Sequence, residues 1–135
     1  MLKRIKQLIN NGENFAFETT LSTRSFLPLL KRCMEDLGYT VNLLFLWLES
    51  PELALKRVAD RVLKGGHNIP SKDVVRRYHR SIKNFMHLYS DLVDNWALYD
   101  NSYSRADIIS RRKKDQDLEM LNLQSGNKFK AYDNE

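Results

Sequence analysis

The chain has 135 residues, 42% apolar and 10% aromatic, with 22 Lys and Arg against 17 Asp and Glu for a net charge of +5. That length supports one domain with a real core and excludes two ordinary ones, and the composition excludes an intrinsically disordered chain. The lone Cys33 excludes an intramolecular disulfide and a cysteine-rich metal site, and fits a reducing cytoplasm. The charge is a mild bias towards anionic partners and does not by itself separate nucleotide from nucleic acid.

The opening "MLKRIKQLINNGENF" places Leu2, Ile5, Leu8 and Ile9 at helical spacing between basic residues, unlike a signal peptide. Asn11 and Gly12 should end this helix through left-handed capping conformations. "FAFETT" then reads as a short buried strand. A helix capped by Ser22 or Thr23 follows, running to about Leu37 and closed by Gly38. "TVNLLFLWL" is the clearest strand, nearly continuous in apolar residues, as expected of a parallel strand covered on both faces. Its apolar run is far too short to span a membrane.

"SPEL" starts a helix, with Ser50 as cap, Pro51 in the first turn and Glu52 against the dipole. Gly65 and Gly66 break it and suit a hinge. After "HNIP", Ser71 can cap a long helix from about Lys72 to Leu92 whose stripe Phe85, Leu88, Tyr89, Leu92 belongs to the core. "NWALYD" reads as a further strand, with a weaker one at 106–110. From Arg111 the pattern dissolves into a polar stretch, read as a frayed tail over 111–135. Alternating helices and buried strands imply an α/β fold with a short, mostly parallel sheet.

Three stretches carry candidate chemistry. Glu18, Thr19 and Thr20 close the first expected strand, and ligands of open parallel sheets bind beyond the carboxyl ends of strands; the alternative is a glutamate simply exposed to water. His67, in the "GGHNIP" loop, is a phosphate donor, a titrating group or a surface histidine. Arg57, Arg61, Arg76, Arg77 and Arg80 flank that loop, with 76 and 80 sharing a helix face. Guanidinium groups bind phosphate oxygens through paired hydrogen bonds, so these arginines can clamp a transferring phosphoryl group; a solvated basic face is the alternative. His79 and His87 have no partners at metal-ligand spacing, and no metal site is expected. No GxxxxGK(S/T) run occurs in the chain.

Taken together, "FAFETTLSTRSF", "VNLLFLWLESPELALKRVADRV", "GGHNIPSKDVVRRYHRSIKNF" and "WALYDNS" resemble the zeta-toxin-type branch of the P-loop kinases. The resemblance covers roughly residues 1–110 and implies an incomplete P-loop NTPase-like three-layer fold. Members of this branch transfer the ATP γ-phosphate to a sugar hydroxyl, and its toxins act on UDP-N-acetylglucosamine. The resemblance implies substrate contacts at Glu18 and Thr20. The family arginine two places after that threonine is Ser22 here, with Arg24 nearby. Arg61 matches the first lid arginine. The second falls at or beside His67, so that Arg76, Arg77 or Arg80 take over its role against the phosphates. Asp100 and Asn101 match the segment beside adenine.

ATP and Mg²⁺ are the cofactors this resemblance implies, although the chain carries neither the Walker A loop nor the catalytic aspartate of the family pattern. It therefore resembles the C-terminal part of such a kinase: inactive alone, and completed by a missing N-terminal half or held by an antitoxin. A different reading is an interaction module that binds nucleic acid through the basic helix at 72–83 and "RRKK" at 111–114. No aromatic–basic interleaving supports base recognition.

Overall fold

The computed structural model describes residues 1–134. Helix α1 (Leu2–Asn10) ends where expected, with Gly12 left-handed at φ 68°, but Asn11 stays right-handed at φ −86°. Helix α2 (Leu27–Glu35) leads through Gly38, at φ 73°, into strand β1 (Asn42–Trp47). Helix α3 (Pro51–Leu63) is capped by Ser50, whose hydroxyl accepts from Leu53 N at 3.1 Å. Helix α4 (Ser71–Asn84) continues through a π-helical turn (Phe85–Tyr89) into the short α5 (Ser90–Leu92). Strands β2 (Asn95–Asp100), β3 (Asp107–Arg112) and β4 (Glu119–Met120) complete a sheet ordered β1-β2-β3-β4. Helix α6 (Leu123–Ala131) and a 3₁₀ turn (Tyr132–Asn134) follow.

The α/β class holds, but the sheet is mixed. Only β1 and β2 run parallel, joined by the α3–α4 excursion; β3 and β4 add antiparallel neighbours. The short loops leading into β3 and β4 permit only reversals, whereas a parallel return needs a crossover of a dozen residues or more.

Two other expectations fail for identifiable reasons. "FAFETT" forms no strand: residues 13–20 carry no ladder, and Phe15 and Phe17 instead stack on one side at 6.5 Å, Phe17 packing on Phe26 at 5.0 Å. The helix expected from Ser22 starts only at Leu27, because Thr23 Oγ1 turns back to Ser25, accepting from its amide at 3.1 Å. β1 is not covered on both faces. Phe45 and Trp47 are buried, whereas Leu44 and Leu46 on the opposite face are 66% and 56% exposed.

The largest departure is at the C-terminus. The segment read as frayed instead folds back and closes the core; Glu135 lies outside the described residues. Phe129 is 3% exposed and meets Phe45, Trp47 and Phe85 with ring centroids 5.6–6.0 Å apart. Tyr132 Oη donates to the Glu49 carbonyl at 2.9 Å, and His87 Nε2 meets Asp133 at 2.8 Å. Polar composition hid this because a two-turn helix needs only one or two buried aromatics to dock. Phe129→Ala should cost about 3–5 kcal/mol, measurable by urea unfolding; a loss below about 1 kcal/mol would show that α6 is peripheral.

Trp47 Nε1 donates to Tyr78 Oη at 3.0 Å, and Tyr78 Oη donates to the Leu48 carbonyl at 2.6 Å. Burial pushes the Tyr78 phenol far above its ordinary value of 10.0, partly offset by the Trp47 donor. A raised folded-state pKa stabilises fully below the unfolded value and is lost as pH rises above it. Stability should therefore fall above about pH 10, and Tyr78→Phe should flatten that alkaline limb while lowering stability at neutral pH.

Candidate functional site

Two groups of sequence-predicted residues remain available to a ligand, and one does not. The first group lies on the α3–α4 hairpin, which leaves the carboxyl end of β1 at Ser50. Helix α3 has no fully buried residue, so its outer turns stand in solvent. Arg61 sits in its last turn, where a cation also complements the helix dipole.

The glycine pair is not a free hinge. Gly66 N donates to the Arg61 carbonyl at 2.8 Å and Gly65 N to the Val62 carbonyl at 3.0 Å, the paired bonds of a Schellman cap. Gly65 has φ 93°, and a Cβ on Gly66 would stand 2.9 Å from the Arg61 carbonyl oxygen. Each glycine is thus required for its own reason, and together they fix where the helix releases the chain towards His67.

Arg61, His67, Arg76, Arg77 and Arg80 are all exposed. Arg76 Nη2 pairs with Asp73 Oδ1 at 3.2 Å on its own helix. The side chains of Arg61, His67, Arg77 and Arg80 make no hydrogen bond or ion pair among the described residues. Three permanent guanidinium charges therefore stand on this hairpin without internal counter-ions. Arg57 differs: its Nη2 donates to the carbonyls of Asn101 and Ser102, each at 3.1 Å. It staples α3 to the end of β2, a role its place in the arginine series gave no sign of.

The second group lies on the turn after residue 18. Glu18, Thr20 and Arg24 are exposed. Thr20 Oγ1 and Ser22 Oγ are 2.8 Å apart, and Leu21 between them is buried at φ 63°. Asn84 Nδ2 donates to the Leu21 carbonyl at 2.9 Å and Tyr89 Oη to that of Thr23 at 2.7 Å. The anchors Asn84 and Tyr89 escaped sequence reasoning, since each sits on a face that reads as core.

The third group is occupied with structure. Asp100 is buried, and its Oδ1 accepts from Ser102 N at 3.0 Å and closely from Ser102 Oγ. Ser102 Oγ in turn accepts from Glu49 N at 2.9 Å, and Asn101 N donates to the Trp47 carbonyl at 2.7 Å. These bonds lock the ends of β1 and β2 together. The Asn101 side chain stays half-buried beside them.

The cations fit a polyphosphate. The described residues do not fit a metal ion: no three His, Cys, Asp or Glu side chains converge, and the Asp100 carboxylate is taken by Ser102. In the basic run 111–114 two of the four charges meet carboxylates, with Arg111 Nε 2.7 Å from Glu119 and Lys114 Nζ 3.7 Å from Asp94, while Arg112 Nη2 donates to the Val93 carbonyl at 2.7 Å. No described helix is long and apolar enough to cross a membrane.

Residues 1–115 match the family described as Zeta toxin. No curated protein and no solved structure matches the chain. Gly65→Ala should destabilise the α3 cap by about 1–2 kcal/mol, read as faster amide exchange at Gly65 and Gly66; unaltered exchange would mean that the cap does not depend on the left-handed glycine.

Proposed function

The chain belongs to the Zeta toxin family, and from that premise we propose that it forms the lid and acceptor wall of an ATP-dependent kinase acting on a hydroxyl of a nucleotide-sugar substrate. The observation that carries this reading is the set of unpaired side chains, Arg61, His67, Arg77 and Arg80, on one hairpin rising from the carboxyl end of a parallel strand. Phosphoryl transfer depends on positioning and on neutralising charge spread over phosphate oxygens, not on covalent chemistry by the protein. Side chains already paired internally are poor at that task. These four are free for it.

In this reading Arg61, His67 and Arg76 face the transferring phosphoryl group, Arg76 exchanging Asp73 for it. Arg77 and Arg80 neutralise the remaining ATP phosphates. Asn101 borders the base, with Asp100 holding that loop rather than touching the nucleotide. Glu18, Thr20 and Arg24 receive the acceptor. ATP supplies the phosphoryl group, and Mg²⁺ is held by residues other than those described.

The same reading includes an incomplete P-loop-like sheet. β1 is an edge strand, and no main-chain hydrogen bond joins it to residues 14–20. Between them lies a cleft of about 280 Å³ lined by Phe17, Leu30, Cys33, Val41, Leu43 and Tyr89 among others. An additional strand in this cleft would pair with β1, and a helix following that strand would cover Leu44 and Leu46. That unit is where the phosphate-binding loop would enter, and without it the chain is inactive.

The test is complementation. A polypeptide carrying the strand, GxxxxGK(S/T) loop and helix, together with the strand that bears the family's catalytic aspartate, is mixed with this chain, and transfer from γ-labelled ATP to UDP-N-acetylglucosamine is followed. Transfer should require both partners and Mg²⁺, and Arg61→Ala should lower it about a hundredfold or more. Absence of transfer, together with ATP affinity unaffected by Arg61→Ala in the chain alone, would defeat the reading.

A further inference from the structure

The helix carrying the arginines changes type at one place. It is α-helical to Asn84, passes through the π turn Phe85–Tyr89 and resumes as α at Ser90. The residues at its two ends, Asn84 and Tyr89, donate to carbonyls two residues apart on the same turn, Leu21 at 2.9 Å and Thr23 at 2.7 Å. Regular α-helical geometry would set positions five apart about 140° round the axis from each other. A π turn takes in about one more residue, which returns them to one side. The irregularity is what lets both side chains reach the same loop.

That loop needs holding. Leu21 is a non-glycine residue at φ 63° and is only 4% exposed. A branched side chain in the left-handed region persists only where its surroundings over-determine it. Here the surroundings are explicit. Leu21 N donates to Thr19 Oγ1 at 3.3 Å and Ser22 N to Thr20 Oγ1 at 3.4 Å. Asn84, 8% exposed, and Tyr89, fully buried, take the two carbonyls from the interior side. Over residues 18–24 the exposed residues are Glu18, Thr19, Thr20, Thr23 and Arg24.

We propose that Asn84 and Tyr89 are positioning residues that use the π turn to hold the Thr19–Thr23 turn in its left-handed form, so that Thr20 and its neighbours present one fixed hydrogen-bonding face to the acceptor. The acceptor assignment rests on the function proposed above; the anchoring does not. Because Arg76, Arg77 and Arg80 lie on the same continuous helix, the acceptor turn and the phosphate-facing cations share one rigid support. Such a shared support favours a fixed near-attack geometry.

The experiment compares the full chain with Tyr89→Phe, which keeps the ring and removes only the donor, and with Asn84→Ala. Amide exchange at Leu21 and Ser22 is read by NMR, with amides of β1 as internal reference. Dissociation constants for UDP-N-acetylglucosamine and ATP are measured on the same samples. Exchange at Leu21 and Ser22 should rise about tenfold in each variant with β1 unchanged, corresponding to about 1.4 kcal/mol of local opening. Affinity for the sugar nucleotide should weaken by a similar factor while that for ATP holds. Unchanged exchange in both variants overturns the anchoring. Faster exchange with undiminished sugar-nucleotide affinity overturns the role of the turn in acceptor binding. If the unsubstituted chain binds no sugar nucleotide, the acceptor assignment falls, and the exchange data alone then decide the anchoring. Tyr89→Phe keeps the comparison decisive should Asn84→Ala fail to fold.

Discussion

The Tyr78 hydroxyl joins the two halves of this molecule. It accepts from Trp47 Nε1 and donates to the Leu48 carbonyl, so a side chain from the middle of α4 is fixed to the carboxyl end of β1. Tyr78 packs against the His79 and Tyr132 rings, and its bond with Trp47 is buried. Helix α3 contributes no fully buried residue, so the hairpin is oriented from α4, whose Val74, Tyr78 and Ile82 are buried. The Tyr78 hydrogen bonds fix that helix to the end of β1, and Arg57 ties α3 to the neighbouring strand end.

Electrostatics divides the basic residues into two populations that composition alone does not separate. Arg57, Arg111, Arg112 and Lys114 are engaged with carbonyls or carboxylates. Arg61, His67, Arg77 and Arg80 are not. Exposed ion pairs add little to stability, so the absence of partners on the hairpin costs the fold almost nothing. It does leave these side chains exposed and without internal partners. Substitutions there should consequently report on binding with little interference from folding, whereas substitutions in the engaged set confuse the two.

Much of the α-helical layout was legible because its signals are local. Ser50-Pro51-Glu52 starts α3, and Gly12, Gly38 and Gly65 mark the ends of helices through positive φ. The strands β1, β2 and β3 announced themselves by apolar runs. What the sequence could not convey was non-local. "FAFETT" has the composition of a strand, yet pairing needs a neighbour, and residues 13–20 have none beside them. Leu44 and Leu46 look like core from their own run and are exposed because nothing covers that face. In the candidate site, arginine identity and spacing were readable, but which arginines are free was not. Arg57 and Arg61 are four residues apart on one helix and differ only in whether a strand end lies within reach. Asn84 and Tyr89 were invisible for a related reason: a π turn leaves no pattern in the apolar periodicity, and only its hydrogen-bond partners reveal it.

The C-terminal region separates the folding unit from the unit of family likeness. The family match ends at residue 115, yet the aromatic cluster is closed by Phe129, and Tyr132 reaches back to the Glu49 carbonyl at the foot of α3. Gly126 lies against the end of the Met120 side chain, where a Cβ would stand 2.8 Å from Met120 Sδ, so α6 packs closely on the sheet. Burying one aromatic of this kind contributes a few kcal/mol, a large share of the stability of a small domain. The folding unit is therefore longer than the unit of family likeness on this side. On the β1 side the sheet has an open edge and an uncovered face. A chain cut at residue 115 would lose the seal on the core that supports Trp47, and with it the Tyr78 bonds that orient the hairpin. The segment outside the family match thus helps to seal the core from which the α3–α4 hairpin rises.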